Sequence, residues 1–472
     1  MWHPASCGST RLASRTDGAT ARRTPAKSAG PRRGDRRFRG RRSLMALSLG
    51  THDTRTRGAR PTLAPAPAPG AGRRPHLHRV DLIRDVAFVC VIVVHVIGVT
   101  YPFPGEGPAF TQLVLHSTRA VFFFVSTFVL FHSAYGRPLR VGAFLTKRFK
   151  LLGVPYLLWS TAYWALGDHA RIRHDLPGAL ADLRGGIVWG GSWYHLYFLL
   201  VSLQIAVLFP LFLRLVRACA GRHSLLLAIA GLGQLAALVV LFHETPLSGP
   251  LEWYRIHGGM LLPTYGFFVL SGALAAVHLD AFHAWVLGHT RTICFGTLSM
   301  LALTYAWYRH TVAAGRDTAT ASIATQPVSL LWGPVAVLAL YALAARWERA
   351  RTPIPSRRAA ARGAQLAFGV YLVHPMILRL LELNGFAAAL PWSSAVDTVV
   401  LVAVVAIAST GFAWLVARTP LSPWLIGRER APGRWSTRSA RSHRRPGPAP
   451  AGQQVGSRSF AEPVVSNHAS GA

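Results

Sequence analysis

Acidic residues and cysteines are scarce in this chain of 472 residues. It has 18 Asp and Glu residues against 51 Lys and Arg residues, and only four cysteines. The cysteines have neither the spacing of a zinc site nor that of a disulfide framework; they are Cys7, Cys90, Cys219 and Cys294. Walker A, G-x-S-x-G and H-E-x-x-H motifs and tandem repeats are also absent. These absences argue against a P-loop NTPase, an α/β-hydrolase, a zinc protease and a repeat protein, and no metal site is expected.

The positive charge is unevenly distributed along the chain. Residues 1–78 carry a net charge of +14 and residues 418–472 a net charge of +7, out of +33 for the whole chain. Both ends are rich in Arg and lack periodic apolar residues, so we predict disordered basic tails at 1–78 and 421–472. Between them, residues 79–420 are strongly hydrophobic and form the predicted membrane domain.

The basic N-terminal tail has three alternative interpretations. Arginine-rich arms can bind nucleic acids, but a cytoplasmic tail that reinforces topology and contacts anionic lipid is the plainer interpretation, and no nucleic-acid partner is expected. The third is that the start codon is assigned too early and that the chain begins at Met45 instead. The first apolar segment begins too late and is too long for a cleavable signal peptide, which indicates a permanent helix.

The apolar segments predict an all-α, polytopic transmembrane helical bundle in the cell membrane. About ten segments have the length and hydrophobicity of helices that span a lipid bilayer. They are 82–102, 111–134, 149–167, 193–213, 224–242, 258–278, 292–309, 326–346, 364–382 and 394–417. The loops after the even-numbered segments are rich in Arg and Lys, whereas the other loops hold more acids than bases. By the positive-inside rule, this pattern places both termini in the cytoplasm.

Two ionisable side chains share one face of the first predicted helix. Arg84 and His95 are eleven residues apart, and at ~100° per residue both return to the same side, roughly 16 Å apart along the axis. Charge-capable groups at membrane depth usually face a bundle interior or a water-filled cavity. Arg119 has a similar depth to His95, and His374 is near the middle of the ninth helix. Because a buried histidine suits general-base chemistry, we predict a catalytic group of His95, Arg84, Arg119 and His374.

A basic collar is predicted at the cytoplasmic ends of the first and third helices. Its members are Arg84, Lys147, Arg148 and Lys150. Such a collar suits an anionic ligand, for example a phosphorylated cofactor that arrives from the cytoplasm. Simpler interpretations stay open, since residues 147–150 also suit a positive-inside anchor and His374 a helix-packing hydrogen bond. Tyr194 and His195 are better explained as aromatic-belt residues at the membrane interface.

Five short motifs resemble, in order, those of the acyltransferase 3 family of bacterial integral-membrane O-acyltransferases. The resemblance spans about residues 79–420. In the first motif, R-V-D-L-I-R-D-V-A at 79–87 is followed by His95, which is similar to the Arg-x10-His pattern of the family's first helix. The other four are F-F-F-V-S-T-F at 122–128, K-R-F-K-L-L-G-V-P-Y at 147–156, W-Y-H-L-Y-F-L at 193–199 and F-G-V-Y-L-V-H-P at 368–375.

The chain departs from the family pattern at three positions. Lys147 and Lys150 stand where Arg is more common, which keeps the charge but loses the bidentate guanidinium fork, and Thr127 replaces the usual Gly. The resemblance implies transfer of an acyl group, commonly acetyl from acetyl-CoA, to a hydroxyl of a sugar, a cell-envelope polymer or a glycosylated natural product. It makes His95 the catalytic histidine, with Arg84 and the basic entry to the third helix binding the donor.

The sequence supports three hypotheses about function. The first is a membrane O-acyltransferase that uses acyl-CoA as donor substrate, holds no permanent cofactor and acts on a carbohydrate or glycoside acceptor. The second is a transporter or exporter of a polar envelope precursor, which an inverted repeat would favour; none is apparent by eye. The third and least favoured is a nucleic-acid-associated membrane protein that acts through its basic tail.

Overall fold

The structure, a computed structural model, describes residues 76–167, 169–350, 353–391 and 394–428. Within these ranges the chain is mostly helical and contains no strand, which confirms the all-α prediction. Most of the two tails that were predicted to be disordered lies outside the described residues.

Seventeen α-helices lie within the described ranges. Their bounds are α1 His78–Thr100, α2 Glu106–Leu115, α3 Thr118–Ala134, α4 Val141–Arg148, α5 Val154–Gly167, α6 His169–His174, α7 Leu176–Trp189, α8 Tyr197–Ala218, α9 His223–Phe242, α10 Gly249–His257, α11 Gly266–Val277, α12 Leu279–Gly288, α13 Thr290–Ala313, α14 Ser329–Arg349, α15 Ile354–Leu383, α16 Ser394–Val416 and α17 Ser422–Leu425. A π-helical segment, Phe149–Gly153, joins α4 to α5, and short 3-10 segments cover Gly258–Met260, Leu262–Tyr265 and Thr320–Ser322.

Helical structure is present in each of the ten predicted transmembrane segments. Among the described residues, seven helices are long and apolar enough to cross a membrane: α1, α2–α3 together, α8, α9, α14, α15 and α16. The pair α10–α11, bent by 59°, makes an eighth span if it counts as one. Helices α5 and α13 fall short, because α5 has only 14 residues and polar side chains lower the hydropathy of α13. The chain is therefore a multi-pass membrane protein, and the cytoplasmic location of both termini stays a prediction.

Helix α3 lies in the middle of the bundle and packs against α1, α11 and α14. Five of its phenylalanines are buried, and they are Phe122, Phe123, Phe124, Phe128 and Phe131. Helix α11 comes so close to α3 that a Cβ atom on Gly272 would lie 2.2 Å from the carbonyl oxygen of Phe124. Close approach of two backbones through a small residue is typical of membrane helix pairs. This contact fixes the middle of the bundle, around which α1 and α15 carry the candidate site.

Helix α15 contains Pro375, which has no N–H to donate to the helical hydrogen-bond ladder. Next to this proline, a side chain from α5 inserts between two backbone groups of α15. The Tyr163 hydroxyl donates to the carbonyl oxygen of Leu372 at 2.7 Å and accepts from the N–H of Met376 at 3.0 Å. In an uninterrupted α-helix these two backbone groups pair with each other, so the hydroxyl bridges one step of the ladder. The bridge fixes the backbone on both sides of His374.

Replacing Tyr163 with phenylalanine should lower the thermal stability of the protein. The ring stays, but both hydrogen bonds are lost, and leaving a buried polar group without a partner costs about 1–3 kcal/mol. Tyr308 is the matched control, because it is 1% exposed against 0% for Tyr163, and its hydroxyl has no hydrogen-bond partner in the described part of the chain. In thermal unfolding of the protein in detergent, the midpoint should fall for Tyr163→Phe and stay or rise for Tyr308→Phe. Equal shifts would contradict the bridge.

Candidate active site

Packing of α15 against α1 brings two histidines into direct contact. His95 Nδ1 and His374 Nε2 are 2.8 Å apart, although 279 residues separate them in the chain. The two rings are nearly parallel, with an angle of 7° and a centroid separation of 5.0 Å. His374 is buried and His95 is half-buried. The structure thus places two of the predicted catalytic residues side by side, with His95 the more accessible of the two.

The hydrogen bonds of His374 determine which nitrogen of His95 carries a proton. His374 Nδ1 lies 3.1 Å from the carbonyl oxygen of Val370, and because a carbonyl only accepts, this Nδ1 carries the proton. In the neutral ring Nε2 is then an acceptor and takes the N–H of His95 Nδ1. This assignment leaves the lone pair of His95 on Nε2. A basic nitrogen held by a second, oriented group is the arrangement of a general base.

His195 lies beside this pair, in a place that the sequence did not indicate. It is 2% exposed, and its ring centroid is 5.7 Å from that of His374, 5.2 Å from Tyr371 and 5.1 Å from Tyr163. Neither ring nitrogen makes a hydrogen bond of normal geometry within the described residues. The aromatic-belt interpretation of His195 was therefore wrong, because the turn before α8 folds inward and buries the ring. Tyr194 is exposed, and its ring lies 4.6 Å from His95.

Arg119, at the start of α3, is close enough to His95 to interact with it electrostatically. Its guanidinium is 4.9 Å from the ring centroid of Tyr197 and hydrogen-bonds to the Tyr265 hydroxyl. No carboxylate lies within ion-pair distance of it in the described ranges. His116 and Arg119 line one small cavity, and His116 donates from Nδ1 to the carbonyl oxygen of Ser322 at 2.9 Å. Arg119 is therefore a cation held by aromatic and phenolic groups, with its charge available to an anion.

The predicted basic collar is present in part. Helix α1 is unbroken, so Arg84 and His95 keep the predicted spacing along one helix. Arg84 is close enough to Asp81, Asp85 and Arg148 to interact with them electrostatically.

The other collar residues are at the junction of α4 with the π-helical segment: Lys147 and Arg148 end α4, and Lys150 is inside the π-helical segment. Lys147 and Lys150 are exposed, and Arg148 lies 5.4 Å from the ring centroid of Phe144. The π-helical segment begins at Phe149, directly after Arg148. Short π-helical segments in α-helices are frequent at functional sites. The structure places Arg84 and Arg148 close enough to interact electrostatically, whereas Lys147 and Lys150 are exposed.

The family comparison agrees with the resemblance that the motifs carry. A family model for an acyltransferase domain, acyltransferase 3, matches residues 77–418. The chain belongs to this family and is an acyltransferase with several membrane-spanning helices. The matched range is close to the predicted domain at 79–420. No match was found among curated proteins or among solved structures.

Proposed function

We propose that the protein is an O-acyltransferase of the cell membrane that moves an acetyl group from acetyl-CoA to a hydroxyl group. The acceptor is a sugar, a cell-envelope glycan or a glycosylated metabolite. One observation carries the proposal: the chain of hydrogen bonds from the Val370 carbonyl through His374 to His95, which leaves a lone pair on His95 Nε2. Acyl transfer to a hydroxyl needs a general base of this kind.

The reaction is one substitution at the thioester carbonyl. His95 Nε2 takes the proton of the acceptor hydroxyl as its oxygen attacks the carbonyl carbon of the donor. The carbon–sulfur bond then breaks, and the departing thiolate takes the proton from His95, which gives an ester and free CoA. His374 accepts the hydrogen bond of His95 throughout and holds the ring in place. Arg119 stabilises the negative charge that develops on the carbonyl oxygen.

The donor spans the distance between the collar and the histidines. In acyl-CoA the phosphates and the reactive thioester are at opposite ends of a long pantetheine arm. Arg84 and His95 are roughly 16 Å apart along α1, so a donor whose phosphates bind at the collar extends its thioester toward His95. Arg84 and Arg148 bind the phosphates, and Lys147 and Lys150 add positive charge around them.

The proposal is tested with the purified full-length chain in lipid nanodiscs. Acetyl-CoA labelled in the acetyl group is supplied with a panel of sugars, envelope glycans and glycosides. We expect loss of the thioester only when an acceptor is present, with the label transferred to that acceptor. Mild alkali should release the label from the product, because it hydrolyses esters. If a folded sample consumes no acyl-CoA and instead moves an unmodified glycoside across a liposome membrane, the proposal is wrong and the chain is a transporter.

Arg84→Ala should raise the KM for acetyl-CoA by roughly 10- to 100-fold and change kcat less. The estimate follows from about 1.5–3 kcal/mol for a hydrogen bond to a charged group. Arg84→Lys should recover part of the loss, since it restores the charge without the fork. Arg140→Ala, an exposed arginine just before α4, is the control and should leave KM unchanged. An equal rise in KM for both alanine variants would mean that general positive charge, rather than Arg84, binds the donor.

A further inference from the structure

Three metal-ligating side chains meet at the beginning of α1, apart from the histidines of the candidate active site. His76 Nε2 lies 2.5 Å from Asp81 Oδ2, and His78 Nδ1 lies 3.7 Å from the same oxygen. All three ligand atoms are within 4.8 Å of one another. His78 is the first residue of α1 and Asp81 is one turn later on the same face. His76 joins them from the extended chain before the helix.

Two further observations distinguish this cluster from an ordinary surface ion pair. Asp81 is only 5% exposed, although carboxylates are seldom buried without a cation or several hydrogen bonds. His78 Nδ1 is buried and has no hydrogen-bond partner within the described ranges, because 3.7 Å is too long for a hydrogen bond to Asp81. A buried carboxylate and a buried, unpartnered ring nitrogen thus lie together without a hydrogen bond between them.

The geometry points to a binding site for one divalent transition-metal ion, and we propose that His76, His78 and Asp81 are its ligands. Zinc bound by imidazole and carboxylate has ligand distances of about 2.0–2.2 Å, so tetrahedral ligand atoms are separated by roughly 3.3–3.5 Å. The present separations of 2.5 and 3.7 Å bracket that range. The ion replaces the hydrogen bond between His76 and Asp81, and each histidine gives it one neutral nitrogen.

The donor set selects the class of ion. Two imidazoles and one carboxylate suit Zn²⁺, Co²⁺, Ni²⁺ or Fe²⁺, whereas Mg²⁺ and Ca²⁺ prefer oxygen ligands. Three protein ligands leave one tetrahedral position for water. The sequence-based expectation of no metal site followed from the spacing of the cysteines, and this cluster contains none. The metal site does not rest on the proposed reaction, so either proposal can fail without the other.

The test is a titration of the full-length chain with Co²⁺ and Zn²⁺, after treatment with a chelator and with an affinity tag that contains no histidine. We expect one equivalent of Co²⁺ to give the visible absorption of a tetrahedral complex, and Zn²⁺ to displace it. His76→Ala and His78→Ala should each weaken binding at least tenfold, since even residues that only orient ligands contribute 10- to 100-fold. His289→Ala, an exposed histidine after α12, should bind like the wild type.

Two outcomes would overturn the metal site. One is the absence of a saturable, one-equivalent Co²⁺ spectrum. The other is an unchanged affinity in His78→Ala, which would place the ion on other histidines of the chain. Because His76 is 62% exposed, His76→Ala is not expected to affect folding. A well-folded His76→Ala variant, checked by its thermal midpoint without metal, therefore keeps the test decisive.

Discussion

Replacing His95 with alanine should reduce the rate of acyl transfer by about 10²- to 10⁴-fold, the range typical of a lost general base. The variant loses the one nitrogen whose lone pair the His374 hydrogen bonds leave free. Alanine at a half-buried position of α1 is expected to keep the helix, because alanine has the highest helix propensity. The measurement is the initial rate of acceptor-dependent thioester loss in nanodiscs, with the wild type and His95→Ala side by side.

Two further variants distinguish the loss of a catalytic group from a loss of structure. His310→Ala, an exposed histidine at the end of α13, is the matched control and should retain wild-type activity. His374→Gln should be intermediate, because a glutamine carbonyl can still accept the N–H of His95 while the backbone contact with Val370 changes. Wild-type rates in His95→Ala would remove His95 from the mechanism, and wild-type rates in His374→Gln would show that an acceptor for the His95 N–H suffices and that the contact with Val370 is not needed.

Replacing Gly272 with alanine should severely destabilise the bundle. The added Cβ would lie 2.2 Å from the carbonyl oxygen of Phe124 and 2.9 Å from its Cα. These are backbone atoms, which cannot move aside as the end of a flexible side chain can. Overpacking of a core typically costs 1–3 kcal/mol and occasionally more, and we expect the upper part of that range because α3 and α11 must separate. The thermal midpoint and the yield of monodisperse protein should both fall.

Gly266→Ala is the matched control for this effect. Gly266 begins the same helix, α11, and a Cβ on it has no atom within 4 Å. It should leave the midpoint unchanged or raise it, since alanine favours a helix more than glycine does. If Gly272→Ala is as stable as Gly266→Ala, α3 and α11 are farther apart in the membrane than in the structure.

The helices and part of the candidate site could be predicted from two features of the sequence: the length of its apolar segments and the ionisable residues inside them. Helices are present in all ten predicted segments, because an apolar segment in a bilayer must satisfy its backbone hydrogen bonds internally. The segments at α5 and α13 are helical but fall short of a membrane span. Arg84 and His95 share α1, so the period of the helix alone fixes their relation. Arg119 and His374 were predicted from their depth in the membrane. Depth alone does not show which helices are neighbours.

The contacts between distant segments could not be predicted in this way. The hydrogen bond between His95 and His374 depends on α1 and α15 being neighbours, which no local pattern reveals. His195 precedes α8 at a position where aromatic-belt residues are common, and only the inward turn of residues 190–196 buries it. The contact between His76 and Asp81 could not be predicted either, because histidines in a basic tail give no sign that they fold back onto the helix.

The π-helical segment Phe149–Gly153 sets the rotation of α4 relative to α5 about their common helix axis. A π turn accommodates one residue more than an α turn does, and one residue of an α-helix corresponds to a rotation of ~100°. Deleting a residue within 149–153 would therefore turn Lys147 and Arg148 of α4 by about a quarter of a circle relative to the tyrosines of α5. A single insertion or deletion in the π-helical segment can therefore change the orientation of α4 relative to α5 without changing the sequence of either helix.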